Sequence, residues 1–309
     1  MDGVKERMAL QDKVIRAIAL DGRARVFTAL TTSLVRELQR RHGLWPVASA
    51  ALGRTATISA MMGMNLKNKE RLFVRIKGEG PLGQIVVDAD SEGKVRGYVE
   101  NPHVHLPANA KGKLDVGGGV GQGMLYITRD SGLKDYYTGG SQIQTGEIAD
   151  DFTYYFAMSE QTPSATGAGV LVDVDNSVIC AGGFLVQLMP GHTEEDILFL
   201  ESRLAKIPSV TDVLQTGIDA HELLNLLAED AQIVDSTDIS FSCSCSRDRL
   251  SGVLRSLGVD ELQSMIDEQG GAEVICHFCG EVYQFTKEDL EKMIVDLGKD
   301  ETSQNGHKQ

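Results

Sequence analysis

The chain has 309 residues, 42% of them apolar and 24% charged, enough apolar material for a sizeable core, which excludes wholesale disorder. Thirty Lys and Arg against 44 Asp and Glu give a formal charge of −14, so neither nucleic acid nor an anionic membrane is an expected partner. No apolar run approaches the roughly 18 residues of a membrane span, and the N-terminal MDGVKERMALQDK lacks the apolar stretch of a secretory signal, so neither is expected.

Residues 13–30 alternate apolar and polar around Asp21-Gly22, the pattern of a β-hairpin. Thr31 or Thr32 is placed to cap a helix, TTSLVRELQRRHGL, that stops at Gly43. Pro46 sits where a second helix begins, and PVASAALGRTATISAMMGMNL reads as a buried one. Strands are expected over 71–77, 83–90 and 94–100, separated by GEGPLG and DSEGK turns, and again over 123–130. The run Gly117-Gly118-Gly119-Val120-Gly121-Gln122-Gly123 matches no phosphate-loop pattern and reads as a flexible turn; no ATPase motif occurs. Residues 147–159 have helical spacing, with aromatics for the core and a stop near Pro163. Residues 167–188 return to strand character around a turn at 173–176, with Cys180 as a small buried apolar residue. His103 and His105 read as polar loop residues and Trp45 as a core or interface residue. The expected fold is α+β: a mixed sheet-and-helix N-terminal core over 1–191, followed by smaller parts.

The charge then changes. Residues 1–191 hold 21 basic and 20 acidic side chains, a net of +1; residues 192–309 hold 9 and 24, a net of −15. A boundary near Pro190-Gly191 is expected, followed by an acidic helical linker over 192–238. Thr193 and Asp196 resemble a capping box, although Glu or Gln is usual at the last position. Pro208 and Gly217 break the linker into helices too short to persist alone. Their apolar stripe, Ile197, Leu198, Leu200, Leu204 and Ile207, must therefore dock on something. A cysteine module follows over 239–286, then a short helix and disordered tail over 287–309.

Four of the five cysteines fall in that module: Cys243-Ser-Cys245, 30 residues, then Cys276-His-Phe-Cys279. Two close thiolate pairs can converge tetrahedrally on one Zn2+, and soft sulfur favours zinc over harder ions. A module of about 48 residues draws only a few kcal/mol from its own core, whereas a structural zinc contributes about 10–16 kcal/mol. If an oxidant converted the thiolates to Cys243–Cys245 and Cys276–Cys279 disulfides, each bond would close a loop of three or four residues, with at most about 2 kcal/mol of loop entropy. Neither bond would join the two distant pairs, so the metal would leave and the module would unfold. The residues leave two other readings open: a permanently folded zinc ribbon in an adaptor for a folded partner, and a dithiol oxidoreductase with His277 lowering a thiol pKa. Against the latter, no βαβ pattern surrounds the CHFC segment, and the CxC pair is left without a role.

With these cysteines, the segments GPLGQIVVDAD, VRGYVENP, GMLYITRDSGLKDYYTGG, TGEIADDFTYYFAMSEQTPSA and CAGGFLVQLMPG resemble, in the same order, those of the heat shock protein 33 family of redox-regulated chaperones. The resemblance covers about residues 12–286; Cys180 and the polar tail lie outside the family pattern. It implies a cytoplasmic, ATP-independent holdase and not an enzyme. It implies one Zn2+ per chain in the reduced, quiescent state, held by Cys243, Cys245, Cys276 and Cys279. Oxidation would pair neighbouring cysteines, release zinc and unfold the module and linker. The active form, commonly a homodimer, would then bind unfolding client proteins.

Overall fold

The computed structural model describes residues 11–67, 70–132 and 136–305; the first ten residues and the last four lie outside these. The chain forms two compact units, the first ending at Ser242 and the second beginning at Cys243.

In the first unit, β1 (Lys13–Ala19) and β2 (Ala24–Leu30) form the expected hairpin. Its turn is longer than an Asp-Gly pair: Leu20, Asp21 and Gly22 all have positive φ, at +53°, +51° and +90°. The first helix, α1 (Thr32–His42), ends in left-handed Gly43 as expected. Its start is held differently. Thr31 makes no capping bond. The buried Asp12 carboxylate instead accepts the backbone N–H groups of Ser33 (3.0 Å) and Leu34 (2.6 Å). The second helix, α2 (Pro46–Gly63), is buried almost all round. Its polar residues survive there because Thr55, Thr57 and Ser59 donate to the carbonyls of Ala51, Gly53 and Thr55 at 2.8, 2.8 and 2.7 Å.

The chain continues through β3 (Arg71–Gly78), β4 (Gln84–Asp90), β5 (Lys94–Val99), α3 (Val116–Val120), β6 (Gly123–Asp130) and β7 (Tyr137–Gln142). The glycine run is not a flexible turn: it supplies the one-turn α3, packed so tightly that a Cβ on Gly78 would lie 2.0 Å from the Val120 carbonyl oxygen. The strand β7, YTGGSQ, has the composition of a loop and is a strand because β6 pairs with it. Then follow α4 (Ala149–Met158), β8 (Ser164–Val172), β9 (Val178–Leu188), α5 (Glu194–Leu204), α6 (Val210–Gln215), α7 (Ala220–Leu227), β10 (Gln232–Asp238) and β11 (Ser240–Phe241).

These strands make two sheets, in the orders β10-β1-β2-β9-β8 and β11-β5-β4-β3-β6-β7. All pairings are antiparallel except β11 with β5. One face of the first sheet (Val14, Phe27, Leu185) shares a core with α2 and with Val74, Ile85 and Val87 of the second sheet. The other face (Ile15, Ala17, Val26, Phe184, Val186) is covered by Leu200, Leu214, Leu224 and Leu227 of α5, α6 and α7. Within the first sheet, β2 and β9 are buried on both faces along nearly their whole length.

The linker therefore docks, but not as the sequence predicts in every part. Leu200, Leu204 and Ile207 face the sheet, whereas Leu198 points outward at 59% exposed. The Thr193–Asp196 capping box forms. Residues 232–238 are not helical; Ile233, Val234 and Thr237 are β-branched, and the segment pairs with the edge of β1. Residues 239–242 belong to the first unit rather than to the cysteine module: Ile239 is buried and Ser240–Phe241 pair with Lys94–Val95.

The second unit contains α8 (Arg247–Arg255), α9 (Val259–Gln269), the hairpin of β12 (Gly271–Ile275) and β13 (Val282–Thr286), and α10 (Lys287–Asn305). Leu254, Leu262, Ile266, Phe285, Leu290 and Met293 form its core. Because α10 supplies Leu290 and Met293, the compact module runs past 286, and the helix occupies most of the stretch expected as a tail. Among the described residues, no helix is long and apolar enough to cross a membrane.

Candidate metal centre

The four expected cysteines come together within the second unit. Cys243 and Cys245 lie just before α8, whose first turn is capped by Ser246, the Oγ accepting from the Arg249 N–H. Arg249 also donates from Nη1 to Ser244 Oγ at 3.1 Å, bracing the residue between the two cysteines. Cys276 follows β12 in a tight knuckle. Its carbonyl accepts from Cys279 N–H (3.2 Å) and Gly280 N–H (2.8 Å), and its own N–H donates to Glu281 O (2.9 Å). Gly280 has φ +71°, the conformation that lets the chain reverse there.

All four sulfurs lie within 4.8 Å of one another, with Cys243–Cys276 at 3.7 Å and Cys245–Cys279 at 3.3 Å. A tetrahedron of sulfurs about 2.3 Å from a central zinc has edges of about 3.8 Å, so the donor set fits a four-thiolate zinc. Cys276 and Cys279 are buried and Cys243 and Cys245 half-buried. Burial pushes the Cys276 and Cys279 thiols upward, so in the absence of a cation they hold their protons. Four thiols at this spacing are a poor arrangement for neutral packing and a good one for displacing protons onto solvent as a soft cation binds.

Sequence reasoning missed Tyr283. It stands on β13 opposite Val274, and its hydroxyl donates to Cys245 Sγ at 3.3 Å. No spacing rule marks it, because only the hairpin register brings the ring to the sulfur. Cys180, His103 and Trp45 belong to the first unit. Cys180 is on β9 in the first unit, buried under the helical layer, and burial raises its thiol to about 11. His103 lies 5.6 Å from the Trp45 ring in a first-unit loop; Trp45 is 44% exposed, so it is not a core residue.

A sequence profile described as Hsp33 protein matches residues 12–286. A 33 kDa chaperonin of Bacillus velezensis is 48% identical, covering 94% of this chain and 99% of that protein. The 33 kDa chaperonin of Bacillus subtilis is 48% identical over 91% of this chain and 97% of its own length. Among solved structures, the 33 kDa chaperonin (heat shock protein 33 homolog) of Thermotoga maritima superposes with a TM-score of 0.88 at 35% identity, over 94% of this chain and 99% of that one. The fold, the clustered cysteines and these likenesses over nearly the whole length agree that the chain belongs to the Hsp33 family and is a chaperone.

Proposed function

We propose that the chain is a redox-regulated, ATP-independent holdase of the cytoplasm. In the quiescent form Cys243, Cys245, Cys276 and Cys279 hold one Zn2+ per chain. Residues 1–191 form the client-binding and dimerising core, and residues 192–238 act as a releasable linker. The observation that carries this reading is the convergence of four sulfurs from two segments 30 residues apart, in a unit whose own core is small. The bound ion would supply the cross-link between those segments.

The chain's part in the switch follows from where the segments lead. Oxidation joins Cys243 to Cys245 and Cys276 to Cys279. Each bond takes two electrons to an oxidant of the peroxide class, and the cysteines lose their hold on the metal. The new bonds join near neighbours and leave the two segments unconnected. Ser242, whose N–H donates to Val95 O at 3.1 Å, is bonded directly to Cys243, so the end of the linker loses its folded neighbour in the chain. The α5–α7 layer is held by an apolar seam and by the Arg23–Asp196 pair, and its departure uncovers the apolar face of Ile15, Ala17, Val26, Phe184 and Val186. That face would hold unfolding clients, with a homodimer as the working form.

Replacing Cys276 and Cys279 with Ser tests the coupling. The variant is expected to suppress aggregation of a chemically unfolded client without oxidant, and suppression that still required oxidant would refute the proposal.

A further inference from the structure

The helices are not the whole of the cover. Residues 232–238 form β10, which caps the edge of the first sheet by pairing antiparallel with β1 from Lys13–Asp238 to Ile18–Gln232. The strand is poorly suited to its place. It reads QIVDSTD, is exposed along nearly its whole length, and slips register between Arg16 and Ala17. Directly paired residues share a face, so the face of Ile15 and Ala17 receives Ser236 and Ile233, with Asp238 opposite Lys13. Two of those three are polar where apolar side chains would extend the buried surface. Ile233 and Val234 are 47% and 56% exposed, and the Arg16–Asp235 ion pair is a loose 3.8 Å contact. Backbone pairing carries most of what holds β10, and any extended chain can offer the same pairing.

Once β10 leaves, β1 becomes a seven-residue edge without proline, flanking the same apolar face that the helices uncover. An open edge of this kind is a template for strand addition. We propose that the activated protein binds an extended segment of an unfolding client by adding it antiparallel to β1, in the position β10 vacates. The segment is about six residues long, non-helical and free of proline. It is apolar at the positions opposite Ile15 and Ala17, where the resident strand has Ser236 and Ile233, and neutral or acidic where it meets Lys13 and Arg16. Edge and face then form one site, in which backbone bonds hold the client while alternate side chains fill the face beside Ile15 and Ala17. The resident strand's polar residues keep it displaceable.

This rests on the proposed release of the linker, and hydrogen exchange on the full-length protein separates the two claims. Backbone exchange is followed over residues 232–238 and over those amides of residues 13–19 that point away from β2 and face the resident strand, in three states: reduced and zinc-loaded, oxidised, and oxidised with a chemically unfolded client bound. Both segments are expected to be protected in the first state and to exchange in the second. In the third, residues 13–19 should slow again by roughly ten-fold or more while 232–238 keep exchanging. Client bound with 13–19 still exchanging would overturn strand addition and leave linker release standing. Re-protection of both segments together would mean that β10 had returned, and would also overturn it. Protection that oxidation never removes at the amides of 13–19 pointing away from β2 would overturn both claims.

Discussion

One of the four sulfurs carries a tyrosine hydroxyl: Tyr283 donates to Cys245 Sγ at 3.3 Å. A hydrogen bond to a thiolate steadies its orientation, and partners of this kind commonly change metal affinity by about 10–100-fold. Tyr283→Phe removes the hydroxyl and keeps the ring. The expected outcome is zinc loss to a competing chelator about ten-fold faster, with the secondary structure of the loaded protein unchanged; equal loss rates would show the contact to be incidental. The cysteines themselves were legible because metal ligation demands sulfur in pairs at short spacing, a covalent-scale constraint written directly in the chain. Tyr283 and Asp12 were not, because each acts on a residue brought to it by strand register or by a neighbouring helix, and neither has a fixed spacing from its partner.

At the scale of elements, the α5–α7 layer decides how readily the protein opens. Leu224 is 2% exposed on α7 and packs in the seam that joins the layer to the sheet. Leu224→Ala should weaken that docking by about 2–5 kcal/mol without touching the cysteines. The expected result is client protection in reduced, zinc-bound protein, with faster alkylation of Cys180, whose thiol is held near 11 by burial on the same face. Unchanged alkylation together with unchanged quiescence would place the restraint elsewhere.

The layer also has an electrostatic clasp. Asp196 caps α5 and receives Arg23 Nε and Nη2 at 2.8 and 3.1 Å from the β1–β2 turn. The Arg23 guanidinium, with the Thr193 N–H, holds the Asp196 carboxyl well below its ordinary value of 3.8. A depressed carboxyl contributes stability above its ordinary range and loses it as protons are forced on, so the clasp is complete at neutral pH and fails in acid. The protection of α5 amides, taken relative to the intrinsic exchange rate at each pH, should therefore be flat near neutrality and fall below about pH 4; Asp196→Asn should show the lowered protection at neutral pH and lose the acid limb. The capping box was visible in the sequence because it is local. The hairpin, the stop of α1 at Gly43 and the buried α2 were visible for the same reason. The strands β7 and β10 were not, since YTGGSQ and QIVDSTD become strands only through the neighbours that pair with them.

For the whole molecule, the two units differ in what keeps them folded. The first buries two sheets around α2 and a second face under the helical layer, a core ample for its length. The second rests on a small cluster around Leu262, Phe285 and Leu290, and over residues 243–309 it carries 13 acidic against 7 basic side chains, a net of −6. Self-repulsion and a small core leave little margin, while a four-thiolate zinc contributes about 10–16 kcal/mol at neutral pH. Removing the metal under reducing conditions should thus unfold one unit and spare the other. With a strong chelator and a reductant present, helical signal equivalent to α8–α10 should disappear from the far-ultraviolet spectrum, and amides of residues 243–298 should exchange freely. Amides of β2, β9 and α2 should keep their protection. Zinc restored in excess should recover the lost signal, because no disulfide has formed to block the ligands. Loss of protection in both units would mean that the first depends on the second for its core. Retention in both would mean that the cluster around Phe285 is sufficient alone, in which case oxidation of the cysteines could not open the protein by the route proposed here.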